Sequence, residues 1–300
     1  MKNFKLLAVF TAIIAYTQPT YTNSSSQTTK NSLTAYLYAT LCQSQETIPA
    51  AQKSSKNVII FDLDGVLCKT NDLQAFYEIG MTVIMQYMVH HGKPSNKKLF
   101  DALEHAPAVT TINAFNEGMR LPQIMVDWQC NAQELRDIQD EMINHILNSP
   151  LTIIEKNLMI NTVLMMTTPE KFIATRQVIP AGIELTRTLK KLGYKLYILS
   201  NWDPSSFSLL TTQFPEIFKY EGQDLFDGIM TSGKTGMIKP NSDIFENCLK
   251  KFKINRSQAI FIDDTIENIQ AAENLGIKSI HCQNKNIDNV TKQLIQILQK

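Results

Sequence analysis

Short, unbroken apolar runs that stop at polar residues recur along this chain. Val58, Ile59, Ile60 and Phe61 follow one another and end at Asp62. Four successive apolar positions, three of them β-branched, predict a strand buried on both faces. Residues 195–199 before Ser200, 228–230 before Thr231 and 259–262 before Asp263 repeat that form. Between them the period changes. Apolar residues recur at three-and-four spacing over 183–192, 243–252 and 266–275, with Gly193 and Gly276 closing two of these helices and Thr265 capping the last. Strands alternating with helices predict an α/β fold whose parallel sheet is covered on both faces. Ligands of such sheets gather at the carboxyl ends of the strands, which is where the polar residues fall.

More than a hundred residues of different character separate the first of these strands from the second. Residues 73–90, 97–105, 132–147 and 153–166 are apolar at helical spacing, with no strand pattern among them. They predict an all-α insertion packed over the sheet, placed to cover sites at the strand ends. The organisation expected is a core from 57–72 and 178–300 and a helical cap over 73–177. No period of 20 to 50 residues repeats, which argues against a solenoid.

Ahead of the core, Lys2 and Lys5 precede an apolar run over 6–16 that is too short to span a bilayer. This is the pattern of a signal peptide over 1–20 and predicts a secreted or periplasmic protein; an uncleaved tail on a cytoplasmic one is the alternative, since Ala15 to Thr17 is only a partial cleavage site. Residues 21–56 are rich in Ser, Thr, Gln and Asn, the composition of a polar linker. Within it Leu33, Tyr36, Leu37 and Leu41 mark one short docking helix. Lys and Arg total 29 against 28 acidic residues, so no global field attracts nucleic acid or anionic lipid. Five scattered cysteines without a CxxC pair suggest neither a disulfide framework nor a structural zinc site. Buried or free thiols are expected, and export would leave a Cys42–Cys130 pair open.

The chemistry starts in FDLDGVL (61–67), where Asp62 and Asp64 sit two apart as the strand gives way to Gly65. Gly65 permits a tight turn that aims both carboxylates at one centre. Alone, such a pair fits a turn or the metal clamp of a glycosyl transferase. A second pair, Asp263 and Asp264, ends AIFIDD (259–264). Four carboxylates at two strand ends repel one another unless a cation holds them, and oxygen ligands without His or Cys favour magnesium over zinc or copper. Helix capping would explain Asp264 but not the other three. LSN (199–201) places Ser200 and Asn201 at the end of the second strand, and IKP (238–240) places Lys239 just before a helix. Singly, loop formation and a solvated charge account for these.

Together and in this order, the four segments over 57–300 resemble the haloacid dehalogenase (HAD) superfamily. The resemblance implies a Rossmann-like sheet, a helical cap inserted after the first motif, and a magnesium-dependent phosphatase, a hydrolase working through an aspartyl phosphate. It matches Asp62 to the nucleophile and Asp64 to the general acid and base. Ser200 and Lys239, with Asn201 beside them, match the phosphate-binding set, and Asp263 and Asp264 join Asp62 and the Asp64 carbonyl as metal ligands. Asn268 stands where relatives often carry Asp, a departure of little weight. The residue chemistry agrees: a phosphate monoester is a dianion, so attack by a carboxylate needs the neutralisation that magnesium and Lys239 supply.

Other readings carry less. Dehalogenase relatives usually lack the second Asp of the first motif, here Asp64. A non-catalytic phosphate or lipid-phosphate binding module on the same fold would not need all four motifs, and a phosphomutase would be set by cap residues. GIMTSGKT (228–235) satisfies the P-loop pattern, but Ile229 and Met230 look like strand, and Gly236 and Pro240 follow Lys234 where a helix is required. His90, His91, His105, Arg120, Trp128 and Arg176 are candidate substrate contacts by position only, and Cys68 lies close to the expected site. Met81, Met85, Met88, Met159, Met165 and Met166 are read as adaptable core. The expected partner is a small phosphorylated metabolite, with no nucleic acid and no membrane span.

Overall fold

The computed structural model describes Leu37, residues 58–94, Leu99, residues 101–103 and residues 121–299. The first strand, β1 (Val58–Phe61), is followed by β2 (Cys68–Thr70) and then by helices α1 (Asp72–Ile79), α2 (Met81–His91), α3 (Gln123–Cys130), α4 (Leu135–Asn148), α5 (Ile153–Thr167) and α6 (Pro169–Ala174). The chain returns through β3 (Arg176–Val178), α7 (Pro180–Lys191), β4 (Lys195–Ser200), α8 (Pro204–Gln213), α9 (Pro215–Phe218) and a small ribbon of β5 (Lys219–Tyr220) and β6 (Gln223–Asp224). It finishes with β7 (Gly228–Thr231), α10 (Ser232–Thr235), α11 (Ser242–Lys251), β8 (Ala259–Asp263), α12 (Ile266–Asn274), β9 (Lys278–His281) and α13 (Ile287–Leu298).

Five strands pair in parallel in the order β7-β4-β1-β8-β9, with β1 central. Alternation along β1 sends Ile59 and Phe61 into one apolar cluster, with Ile183 and Leu189 of α7 and Leu294 of α13. Ile60 goes to the opposite cluster, with Phe245 of α11 and Ile269 of α12. The unbroken apolar run of β1 is thus the mark of a strand with helices on both sides. Leu37 is helical and fully buried in the first cluster, where a docking helix was expected. The readings of a signal peptide and of the rest of the linker, and His105 and Arg120, lie outside the described residues.

Four of the five sheet strands were legible as apolar runs, and β9 was not. KSIH buries only Ile280, so this strand shows no continuous apolar run. The second departure is the antiparallel ribbon of β2 and β3, which pairs Cys68 with Val178 and Thr70 with Arg176. The helices α1 to α6 lie between its two strands, so Arg176 and Gln177, read as part of the helical insertion, belong to this ribbon. Three-residue strands are too short to show an alternation.

The inserted helices enclose their own core, including Ile84, Tyr87, Met142 and Ile146, and Ile238 next to Lys239 packs into it. Met159, Met165 and Met166 are buried there, whereas Met81 and Met85 are about half exposed. The latter two are not core. Helix α3 rests on α10: Ser232 Oγ donates to the Gln129 carbonyl at 2.7 Å and accepts from Trp202 N at 2.8 Å. A side chain at Gly233 would meet Pro204 and the Trp202 carbonyl. The P-loop-like run is therefore strand β7 plus a seat for α3, and Lys234 Nζ lies 5.3 Å over the Phe207 ring. Lys234→Ala is expected to keep turnover within about twofold of the parent, as for a substitution remote from reacting atoms. A greater than about tenfold loss in steady-state assays would restore the nucleotide-binding reading. Among the described residues, no helix is long and apolar enough to cross a membrane.

Candidate active site

The carboxyl ends of β1, β4 and β8 bring the sequence motifs to one place. Asp62, the first residue after β1, is fully buried. Its Oδ1 accepts from Leu63 N at 2.8 Å and Ser200 Oγ at 2.7 Å, and lies 3.1 Å from Lys239 Nζ. Ser200 is the last residue of β4, which pairs directly with β1, so neighbouring strands deliver the two side chains side by side.

Lys239 is fully enclosed at its charged end. Its Nζ donates to Asp263 Oδ2 at 2.6 Å and to the Leu199 carbonyl at 2.9 Å. A buried ammonium stands only when paired and fully hydrogen-bonded, and here two carboxylates and a strand carbonyl do both. Asn201 clamps the main chain of this lysine: its Nδ2 donates to the Lys239 carbonyl and its Oδ1 accepts from Lys239 N, each at 2.9 Å. Asn201, expected in the phosphate-binding set, thus also positions the main chain of Lys239. Asn268, buried at the start of α12, donates Nδ2 to both oxygens of Asp263 at 3.0 Å. An aspartate at 268 would set another negative charge against Asp263. The departure that carried little weight in the sequence has a clear structural use.

Asp264 completes the acidic group. Ligand atoms of Asp62, Asp263 and Asp264 all lie within 4.8 Å of one another. Gly65 has φ +78°, and a Cβ there would run into the Asp264 carboxylate. The glycine of the first motif is thus required twice, for its left-handed backbone and for the space it leaves. Gly65→Ala is expected to displace Asp264 and weaken divalent-cation binding at least about tenfold, at a stability cost of about 1–2 kcal/mol for the strained conformation. Calorimetric cation titration beside a thermal melt checks both; unchanged affinity would show that Asp264 does not need this space. His281 Nε2 sits 3.0 Å from the Asp264 carbonyl. No sequence signal singled out His281, because β9 itself was not visible.

Asp64 lies on the turn, partly exposed, with Oδ1 3.4 Å from Nη1 of Arg176. The cluster therefore holds the carboxylates of Asp62, Asp64, Asp263 and Asp264 against the cations of Lys239 and Arg176. Acidic side chains outnumber basic ones here, an imbalance that a bound cation would relieve. Oxygen donors alone, with no His or Cys among them, suit a hard ion such as magnesium.

The other candidates fall elsewhere. His90 Nδ1 lies 2.9 Å from the Gln86 carbonyl on its own helix, and His91 packs near Thr152 and Glu155 at the start of α5. Trp128 is buried on α3, edge-on to Phe172. Cys68, Cys130, Cys248 and Cys282 are buried thiols outside any disulfide among the described residues, and Cys68 donates Sγ to the Leu63 carbonyl at 3.6 Å. Cys282 donates Sγ to the Gly65 carbonyl at 3.5 Å, and burial, reinforced by the carboxylates of Asp264, Asp263 and Asp62, pushes its thiol up to about 12. It stays protonated and unreactive beside the site.

Comparison with known proteins bears on this arrangement. The family model of haloacid dehalogenase-like hydrolases matches residues 56–276. A glyceraldehyde 3-phosphate phosphatase of Pyrococcus furiosus is 28% identical over 224 residues, 74% of this chain and 79% of the relative. A sesquiterpene phosphatase of Aspergillus oryzae is 35% identical over 97 residues, covering 32% of this chain, and the match spans less than half (46%) of that relative. The solved structure of a HAD family enzyme from Bacteroides thetaiotaomicron superposes with a TM-score of 0.51 at 16% identity, over 76% of this chain and 94% of the other. The same enzyme has been crystallised with magnesium and inorganic phosphate, a structure that superposes with a TM-score of 0.50 at 16% identity over 75% and 93%. With the sheet order, the inserted helices and the converging acids agreeing with a family match over most of its length, this chain belongs to the haloacid dehalogenase-like hydrolases.

Proposed function

We propose that this hydrolase is a magnesium-dependent phosphatase of a small phosphate monoester, acting through a phosphorylated Asp62. The observation that carries the reading is Lys239 Nζ between Asp62 and Asp263, with Asp264 at their side. The phosphatases among its relatives, and the neighbour crystallised with magnesium and phosphate, support it.

In this reading a carboxylate oxygen of Asp62 attacks phosphorus while the bond from phosphorus to the ester oxygen breaks. Asp64 gives its proton to that departing oxygen, a contribution of roughly 10² to 10⁴ in rate. Asp64, now a carboxylate, takes a proton from water, whose oxygen attacks the phosphoryl group and releases phosphate and free Asp62. Ser200 and Lys239 hold the phosphoryl oxygens throughout. Asp62, Asp263 and Asp264, with the Asp64 carbonyl, would hold magnesium, whose charge would neutralise the repulsion between the anionic nucleophile and a phosphate dianion. The helical insertion limits substrates to small ones by covering the strand ends. The signal read at residues 1–20 places the activity in the periplasm or outside the cell as part of the same proposal.

The test is a panel of small phosphorylated metabolites and an aryl phosphate, assayed with magnesium and again after chelation. Phosphate release that requires magnesium is expected. Phosphate binding without turnover of any ester would favour the non-catalytic binding module instead.

A further inference from the structure

Arg176 offered no more than a position in the sequence, yet the fold aims it at Asp64. The pair stands at 3.4 Å, with the arginine side chain 3% and the aspartate side chain 14% exposed. The guanidinium is held from other sides too. Its Nε and Nη2 donate to Thr175 Oγ1 at 3.2 and 3.0 Å, and that hydroxyl donates to the Phe172 carbonyl at 2.7 Å. Its plane lies 4.3 Å over the Phe172 ring, which is flanked by Trp128 at 6.1 Å and Trp202 at 5.6 Å. A guanidinium anchored on two hydrogen bonds and a ring has little freedom left, so its charge is held in one place beside Asp64.

The anchors come from the insertion. Phe172 belongs to α6, Trp128 to α3, and Arg176 itself to β3, across from Thr70 in the ribbon through which those helices join the core. Asp64, in contrast, belongs to the turn after β1. The contact therefore ties a carboxylate of the core to a residue placed by the insertion. Oδ1 is the Asp64 oxygen that faces Arg176.

We propose that Arg176 is a positioning residue that holds Asp64 from its Oδ1 side so that Oδ2 faces the ester oxygen. The inference rests on the phosphatase reading, in which Asp64 is the acid and base. The proton on Oδ2 passes to the leaving oxygen as the bond to phosphorus breaks, and the carboxylate that remains lies opposite the Arg176 charge until water returns a proton. Lysine could not replace this arrangement, since a single ammonium cannot stack on Phe172, bond Thr175 and reach Asp64 together.

The test compares Arg176→Met and Arg176→Lys with the parent on two esters: p-nitrophenyl phosphate, whose leaving group departs as a stable anion, and the alkyl phosphate turned over best. For Arg176→Met, kcat on the alkyl ester is expected to fall about 100-fold with KM little changed, and on the aryl ester by no more than about threefold, the pattern of lost proton delivery. Arg176→Lys should recover part of the alkyl rate by restoring the charge. A thermal melt and magnesium titration on each variant show that fold and cation site persist. Equal losses on both esters, or a raised KM at constant kcat, overturn the proposal and leave Arg176 a structural residue or a substrate contact. If the parent hydrolyses neither ester, the phosphatase reading falls and this inference with it.

Discussion

Asp62→Asn is expected to remove turnover almost completely, by at least about 10⁴-fold, because an amide cannot form the covalent intermediate on which the two-step route depends. The fold should not suffer. Ser200 can still donate to the amide oxygen, and Lys239 keeps Asp263 at 2.6 Å and the Leu199 carbonyl at 2.9 Å, so no buried charge is orphaned. Removing one carboxylate from a group of three within 4.8 Å also relieves repulsion when no cation is present. The melting temperature without magnesium should therefore equal or exceed that of the parent, while the rise on adding magnesium should shrink as a ligand is lost. Phosphate release with and without magnesium, beside a thermal melt, reads both effects. Residual turnover above about one per cent would mean that water, and not Asp62, attacks phosphorus.

Lys239→Met carries the second large effect, and it falls on stability and activity together. Methionine fills much of the space but leaves Asp62 Oδ1 and Asp263 Oδ2 buried without their shared cation, and the Leu199 carbonyl without its donor. Breaking a buried pair from one side costs about 3–5 kcal/mol, most of it the burial of the charge left behind. Turnover should drop about 10²- to 10³-fold as well, since an oxyanion-binding donor is gone. Two controls separate the causes. Adding Asp263→Asn to Lys239→Met should recover part of the lost stability without recovering activity, and magnesium should raise the melting temperature of Lys239→Met more than that of the parent. A variant as stable as the parent in the absence of metal would mean that the buried carboxylates are compensated elsewhere.

The core of this arrangement was written in the apolar runs. A strand buried on both faces must be apolar throughout, so β1, β4 and β8 announced themselves, and the polar residue at each carboxyl end marked where a ligand would sit. Asp62, Ser200, Asp263 and Asp264 could be named for that reason, and Lys239 from the IKP segment before α11. Asn201 was found by the same rule, but its hold on the Lys239 main chain was not foreseen: local sequence places a side chain at a strand end and does not say which groups it meets. Asn268, His281 and Arg176 were beyond such a rule. Each acts across elements far apart in the chain, with Asn268 on Asp263, His281 on the Asp264 carbonyl and Arg176 on Asp64.

Hydrophobic periodicity and motif order therefore determined the class of fold with its helical insertion, and named Asp62, Asp64, Lys239, Asp263 and Asp264, but not Arg176, among the charged residues that meet. Only the tertiary structure decided how those charges are balanced, because burial and partner distance set the energy of a charge and neither is a property of a residue's local sequence. It made Gly65 a necessity of space beside Asp264, turned Asn201 onto Lys239, and carried Arg176 from the end of the insertion to the carboxylate of Asp64.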